Sequence, residues 1–241
     1  MDPIHLVKKG VRVSEPKSVF DQYEDRIENA LWSYEVKGQL EGALNEYRAV
    51  ETDLAALSIS SDQAAYPECQ RVLAYCLMRQ GNILRQMGQT LEALELGERE
   101  IPAAQASGDA LTLARSLMSN GTNLIVGGEV ERGLIMVEEA RSLFEAGDSD
   151  DFKQGLGWYW ILQADLANAG LVDIQATEVI QAADQAFAIL SPLENWPGVA
   201  RAYAGRAQAY ESIGDDSAAA ADRQNQGYYE DIATSSEPST S

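Results

Sequence analysis

Apolar residues recur at helical spacing in successive stretches of the chain, and five glycines divide these stretches into pairs. Spacings of three and four residues place side chains on one face of an α-helix. A glycine after such a stretch is typical of a helix C-terminus, because glycine adopts the left-handed conformation without a Cβ clash. The glycines that close the first stretch of each pair are Gly38, Gly88, Gly128, Gly170 and Gly214. The pattern predicts an all-α chain of five antiparallel helix pairs with no sheet.

A short motif recurs around each of these glycines. In the third pair it reads Leu117-x2-Asn120-Gly121-x2-Leu124, and the second stretch of most pairs begins with Ala-x3 before a larger residue. Small residues such as Gly81 and Gly121 are predicted to lie where two helices approach closely, with bulky residues filling the remaining space.

This motif resembles that of the tetratricopeptide repeat (TPR) family, in which bulky-x2-Leu-Gly-x2-Tyr precedes Ala-x3-Phe. The resemblance covers roughly residues 16 to 227. Each unit here exceeds the family's length of about 34 residues and looks like the longer variants, of about 40 residues, in bacterial regulators and kinesin-light-chain-type proteins. Gly97 and Arg223 stand where the family has an aromatic residue. The resemblance implies a right-handed α-solenoid of about five antiparallel helix pairs, whose first helices line a concave face.

The same pattern sets the expected domain boundaries. Residues 1–15 have no helical period and form an N-terminal extension, and residues 16–227 form the repeat domain. Residues 228–241 carry Ser, Thr and Pro, with little to bury, and are expected to be a disordered tail. Breaks between units are expected at 58–66, 107–109, 148–151 and 195–198.

The charge of the chain narrows its partners. Its formal net charge is −20, from 38 acidic against 18 basic residues. Nucleic acids and anionic membranes attract clustered Lys and Arg, so neither is an expected partner. Cys69 and Cys76 stand seven residues apart in one predicted helix, about 10 Å, too far for a disulfide. Free thiols and the lack of an apolar signal region indicate a cytoplasmic protein.

Residues that carry catalytic or metal chemistry are scarce. The single histidine, His5, lies outside the repeats, which disfavours a Ser-His-Asp or Cys-His arrangement and a histidine-based zinc site. The acidic run 148–151 lacks the glycine and closing glutamate of a calcium loop and is interpreted as a linker. The sequence therefore predicts no catalytic residue, no metal, no cofactor and no enzymatic activity.

A non-enzymatic protein-interaction module is the predicted function, in the manner of an adaptor, assembly chaperone or regulatory scaffold. It would bind a peptide or a partner helix in the concave groove, and a homo-oligomer stays open. The alternative is a sensor domain that binds a small signal or peptide and then switches partners. An all-helical enzyme is a third hypothesis, disfavoured by the absence of an internal histidine.

One stripe of the first helices is predicted to face the groove, beside the stripe used for packing. It mixes Arg, Met, Asn and aromatic residues, which are frequent at recognition sites. Its arginines are expected to hold a carboxylate or acidic side chains. The predicted partner-binding residues are Tyr75, Met78, Asn82, Arg85, Arg115, Met118, Trp160, Arg201 and Gln208.

Overall fold

The computed structural model of the chain describes residues 18–61 and 63–235, and the predicted extension 1–15 lies outside them. These residues form ten α-helices and no strand. The helices are α1 (Asp21–Ala30, continued by a π-helical turn, Leu31–Glu35), α2 (Leu40–Ala56), α3 (Tyr66–Gln86), α4 (Thr90–Ser107), α5 (Ala110–Val126), α6 (Val130–Ala146), α7 (Asp150–Asn168), α8 (Ala176–Leu190), α9 (Trp196–Ser212) and α10 (Asp216–Ser235).

The five glycines end the first helix of each pair, as the sequence predicts. All five have a positive φ, between 69° and 91°. Around Gly128, the Glu129 amide donates to the carbonyl of Leu124 at 2.8 Å, a bond that satisfies a free carbonyl of the last helical turn. The backbone therefore reverses at these points, and five helix pairs follow.

Local capping explains where two of the pairs begin. The Asp109 carboxylate accepts a hydrogen bond from the Thr112 amide at 2.8 Å, and α5 starts at the next residue. The Asn195 side chain accepts from the Gly198 amide at 2.9 Å at the start of α9. Both caps satisfy amides that have no partner inside the helix.

The first and second helices differ in what they contact. From α3 onward, each first helix packs against its own second helix, the second helix of the preceding pair and the neighbouring first helices. Small apolar clusters fill these contacts. The free cysteines Cys69 and Cys76 are buried in the cluster that α1, α2, α3 and α4 form together. The result is an α-solenoid in which the first helices form one continuous face.

Two helices approach each other closely where α5 crosses α6. A Cβ atom built on Gly121 would lie 2.7 Å from both the Gly133 carbonyl oxygen and Val137 Cγ2. Gly133 in turn has no room for a Cβ against Gly121. Gly81 differs, since its nearest neighbour would be Asn123 Nδ2 of α5 at 3.4 Å, an ordinary contact. The close contact predicted at Gly121 is present, and the one predicted at Gly81 is not.

The repeat domain ends later than the sequence suggests. Helix α10 continues through the predicted boundary at 227 to Ser235, so residues 228–235 are helical rather than a disordered tail. The reason is an aromatic stack, because the Tyr229 ring lies 5.6 Å from Trp196 and 5.6 Å from Tyr203, centre to centre. The remainder of the expected tail, 236–241, lies outside the described residues.

Candidate partner-binding groove

The first helices enclose a groove along their shared face. Its volume is about 850 Å³, and its walls come from α3, α5 and α7, with contributions from the π-helical turn and from Arg201 of α9. Apolar side chains form much of the surface, among them Met78, Met118, Val126, Trp158 and Leu162. Polar side chains alternate with them, including Asn82, Arg85, Ser119 and Thr122.

Six of the predicted site residues lie in this groove. They come from the second, third and fifth pairs and are Met78, Asn82, Arg85, Arg115, Met118 and Arg201. Tyr75 lies in an adjoining hollow of about 520 Å³ that shares Met78 and Arg115 with the groove. Its hydroxyl donates to Glu28 at 2.6 Å, and burial raises the pKa of Tyr75 above its usual value.

The prediction for the fourth pair is wrong. Trp160 lies in a separate cleft of about 690 Å³ between α6, α7 and α8, where the Arg141 guanidinium stands 5.2 Å from its ring centre. Trp158 lines the groove instead. Two residues along a helix are turned by about 200°, so the two rings face opposite sides of α7.

Gln208 also lies elsewhere. It is an exposed residue of α9 and takes no part in lining the groove. Arg201 is the α9 residue that lines the groove, and it stands seven residues, about two helical turns, before Gln208. The fifth pair therefore contributes one predicted residue to the groove and not two.

Polar contacts between neighbouring first helices cross the groove surface. Asn82 accepts a hydrogen bond from Ser119 at 3.1 Å, joining α3 to α5. Arg115 pairs with Asp151 at 3.2 Å, which joins α5 to α7. Arg201 pairs with Asp165 at 3.1 Å, which joins α9 to α7. Carboxylates of the neighbouring helix α7 therefore partly neutralise Arg115 and Arg201.

The pair at the N-terminal end of the groove is buried. Arg79 lies 2.6 Å from Glu35, and their side chains are only 16% and 11% exposed. Tyr47 donates its hydroxyl to the same carboxylate at 2.8 Å. The paired charges and the added hydrogen bond leave this end of the groove nearly neutral.

Arg85 differs from the other arginines of the groove. Its Nη1 donates to Asn123 Oδ1 at 2.7 Å, and no carboxylate of the described residues lies within ion-pair distance of it. Burial lowers the pKa of Arg85 from its usual value, and the guanidinium stays charged. It supplies a positive charge in the middle of the groove.

Several groove residues were missed by the sequence analysis. Arg79, Ser119 and Leu162 each stand four residues after a residue that lines the groove or its adjoining hollow, so they share its face. A broader prediction that also took the residues four positions further along each helix would have included them. The part of the chain that the structure describes contains no group of three or more His, Cys, Asp or Glu side chains able to hold a metal ion.

Solved structures resemble the chain over nearly its whole length. A kinesin light chain protein of Podosopora anserina with nearly identical TPR-like repeats is 14% identical, with a TM-score of 0.50, covering 92% of this chain and 100% of that one. The fold is a TPR-like helical repeat. BtubC (BKLC) from P. vanneervenii is 12% identical with a TM-score of 0.59, covering 93% of this chain and 96% of its own.

Other comparisons add nothing to this TPR-like fold. Neither the protein-family models nor the curated proteins that were searched match the chain. Within residues 18–61 and 63–235, no helix is both long enough and apolar enough to cross a bilayer.

Proposed function

We propose that the chain is a non-enzymatic protein-interaction module, an adaptor or scaffold, that binds an acidic peptide or partner helix in its concave groove. The observation that carries the proposal is the groove itself, an apolar surface with an arginine lacking an acidic partner among the described residues. Methionine, tryptophan and arginine are enriched where proteins recognise one another.

Charge supports an acidic segment as the occupant. The chain carries −20 overall, so cations are rare on it, and Arg85, Arg115 and Arg201 all lie in the groove. An acidic side chain beside Arg85 would form a charge-assisted hydrogen bond with a guanidinium that now donates to a neutral amide. The amide of Asn82 would hold the backbone of the bound segment.

Matched substitutions test this proposal once a partner has been captured from a native lysate. Arg85→Gln removes the charge but keeps a donor for Asn123, and Val126→Glu adds a charge at an exposed groove residue. Each is expected to weaken partner binding at least about tenfold. The controls Arg132→Gln and Ile135→Glu make the same changes on exposed positions of α6 and should change affinity by less than about twofold.

Circular dichroism and melting temperature of each variant show that the helices are intact. Equal loss of binding by the α6 variants would place the partner on the second helices and contradict the proposal. The alternative is a sensor function, because the groove volume of about 850 Å³ also suits a small ligand. In that case a small molecule in the lysate, rather than a protein, would compete with the partner.

A further inference from the structure

A carboxyl group is buried behind the groove. Glu100 of α4 is 1% exposed, and its Oε2 accepts one hydrogen bond, from Asn120 Nδ2 at 2.7 Å. Its Oε1 has no hydrogen-bond partner. An ionised carboxylate is unstable in such a site, and burial raises the pKa of Glu100 from 4.5 to about 8. Glu100 is therefore mostly neutral at pH 7.

Arg85 approaches the same region from the groove. Every other arginine within residues 18–61 and 63–235 has a carboxylate within ion-pair distance. Arg85 donates to Asn123, whose own Nδ2 is buried without a partner. Asn123, which contacts Arg85, and Asn120, which contacts Glu100, stand three residues apart on α5 and share one face, so Arg85 and Glu100 approach neighbouring positions without forming an ion pair. A buried donor and a buried acceptor thus stay unsatisfied around α3, α4 and α5, a costly arrangement.

Few other charges act on Glu100. Helix α5 presents the neutral side chains of Ser116 and Asn120, and α3 presents Arg85. Helix α2 carries Glu51, which pairs with Arg99 and accepts a hydrogen bond from Gln80. The ionisation of Glu100 is therefore coupled mainly to the positive charge at the groove.

We propose that Glu100 regulates the groove through Arg85. When the carboxyl is neutral, Arg85 is free to hold an anionic group of the partner. When the carboxylate is ionised, its negative charge offsets the positive charge of Arg85. The groove then attracts the anionic group of the partner less strongly. Glu100 is thus a positioning residue, which acts on the ligand through Arg85 without touching it.

The direction of the effect follows from thermodynamic linkage. Affinity for an anionic ligand falls as pH rises through the pKa of Glu100, because the second negative charge then competes for Arg85. By reciprocity, a bound anion favours proton uptake by Glu100. Coupling between two sites is typically about fivefold or more in affinity, and we expect a change of that size between pH 6.5 and 9.5.

The inference rests on the proposed function, so the experiment separates the two. The probe is the capped peptide acetyl-Glu-Glu-Glu-Glu-amide, which does not titrate between pH 6.5 and 9.5. Its binding to the full chain is followed at both pH values by the NMR signal of the Arg85 side chain. The carboxyl carbon signal of Glu100 is titrated in parallel without the peptide, which measures its ionisation directly.

Three variants decide the result. Glu100→Gln should bind the peptide at pH 9.5 as tightly as the unmodified chain does at pH 6.5, with no pH dependence left. The matched control Glu98→Gln removes an exposed charge from the same helix and should keep the fivefold dependence. Arg85→Gln should lose binding at both pH values.

If Arg85→Gln binds normally, or if the unmodified chain does not bind the peptide, the proposed groove function fails. If Arg85→Gln loses binding but Glu100→Gln keeps the pH dependence, only the regulation by Glu100 is overturned. A Glu100 signal that titrates near pH 4.5 would overturn it as well.

Discussion

Replacing Gly121 with alanine adds a single methyl group where α5 crosses α6 backbone to backbone. In an exposed helix interior, Gly to Ala stabilises by about 1 kcal/mol. At Gly121 the new Cβ would lie 2.7 Å from the Gly133 carbonyl oxygen, which belongs to backbone and cannot rotate away. Overpacking of this kind costs about 1–3 kcal/mol and should exceed the gain in helix propensity.

Gly227 of α10 provides the matched control. It lies in a helix and a Cβ there would have no neighbour within 4 Å, so Gly227→Ala should stabilise by about 0.5–1 kcal/mol. Gly81→Ala, which meets only one atom at 3.4 Å, should be close to neutral.

Urea denaturation followed by circular dichroism measures the free energy of unfolding of these three variants. The predicted order of stability is Gly227→Ala, then Gly81→Ala, then Gly121→Ala. A Gly121→Ala variant as stable as Gly227→Ala would refute the close crossing of α5 and α6.

Three further predictions concern stability. In the unmodified chain, unfolding releases a proton from Glu100 as the pH rises from 5 to 8, so the free energy of unfolding falls, whereas that of Glu100→Gln does not. The pKa of about 8 against 4.5 sets this difference at no more than about 5 kcal/mol. Urea denaturation of both proteins at several pH values measures it. Tyr229→Ala removes the ring that stacks on Trp196 and Tyr203, and should lower the free energy of unfolding by about 1–3 kcal/mol. Truncation after residue 229 keeps this ring and should change the melting temperature little. Asp222→Ala, which breaks a buried bidentate pair with Arg206, should cost about 3–5 kcal/mol, and Glu211→Ala, at an exposed pair, under about 1 kcal/mol in the same assay.

Local chemistry explains why the helix pairs were predictable. Gly128 needs a positive φ at the end of α5, and Asp109 caps the start of the same helix. Both requirements involve only neighbouring residues, so the sequence shows them directly. The same is true of the breaks between units, where α4 ends at Ser107 and α7 begins at Asp150.

Long-range contacts explain the failures. Apolar residues surround much of α7, so periodicity does not reveal that Trp158 rather than Trp160 faces the groove. The extension of α10 depends on Tyr229 stacking against Trp196, 33 residues away along the chain. The burial of Glu100 depends on three helices at once, and its helix carries other glutamates that are exposed.

The central claim is that the partner lies in the concave groove. Photo-crosslinking tests it most directly, with p-benzoylphenylalanine placed at Leu162 in the groove or at Leu91, which is 78% exposed on α4. The captured partner should crosslink from position 162 and not from position 91, and Arg85→Gln should remove the crosslink. Crosslinking from position 91 alone, unaffected by Arg85→Gln, would contradict the account.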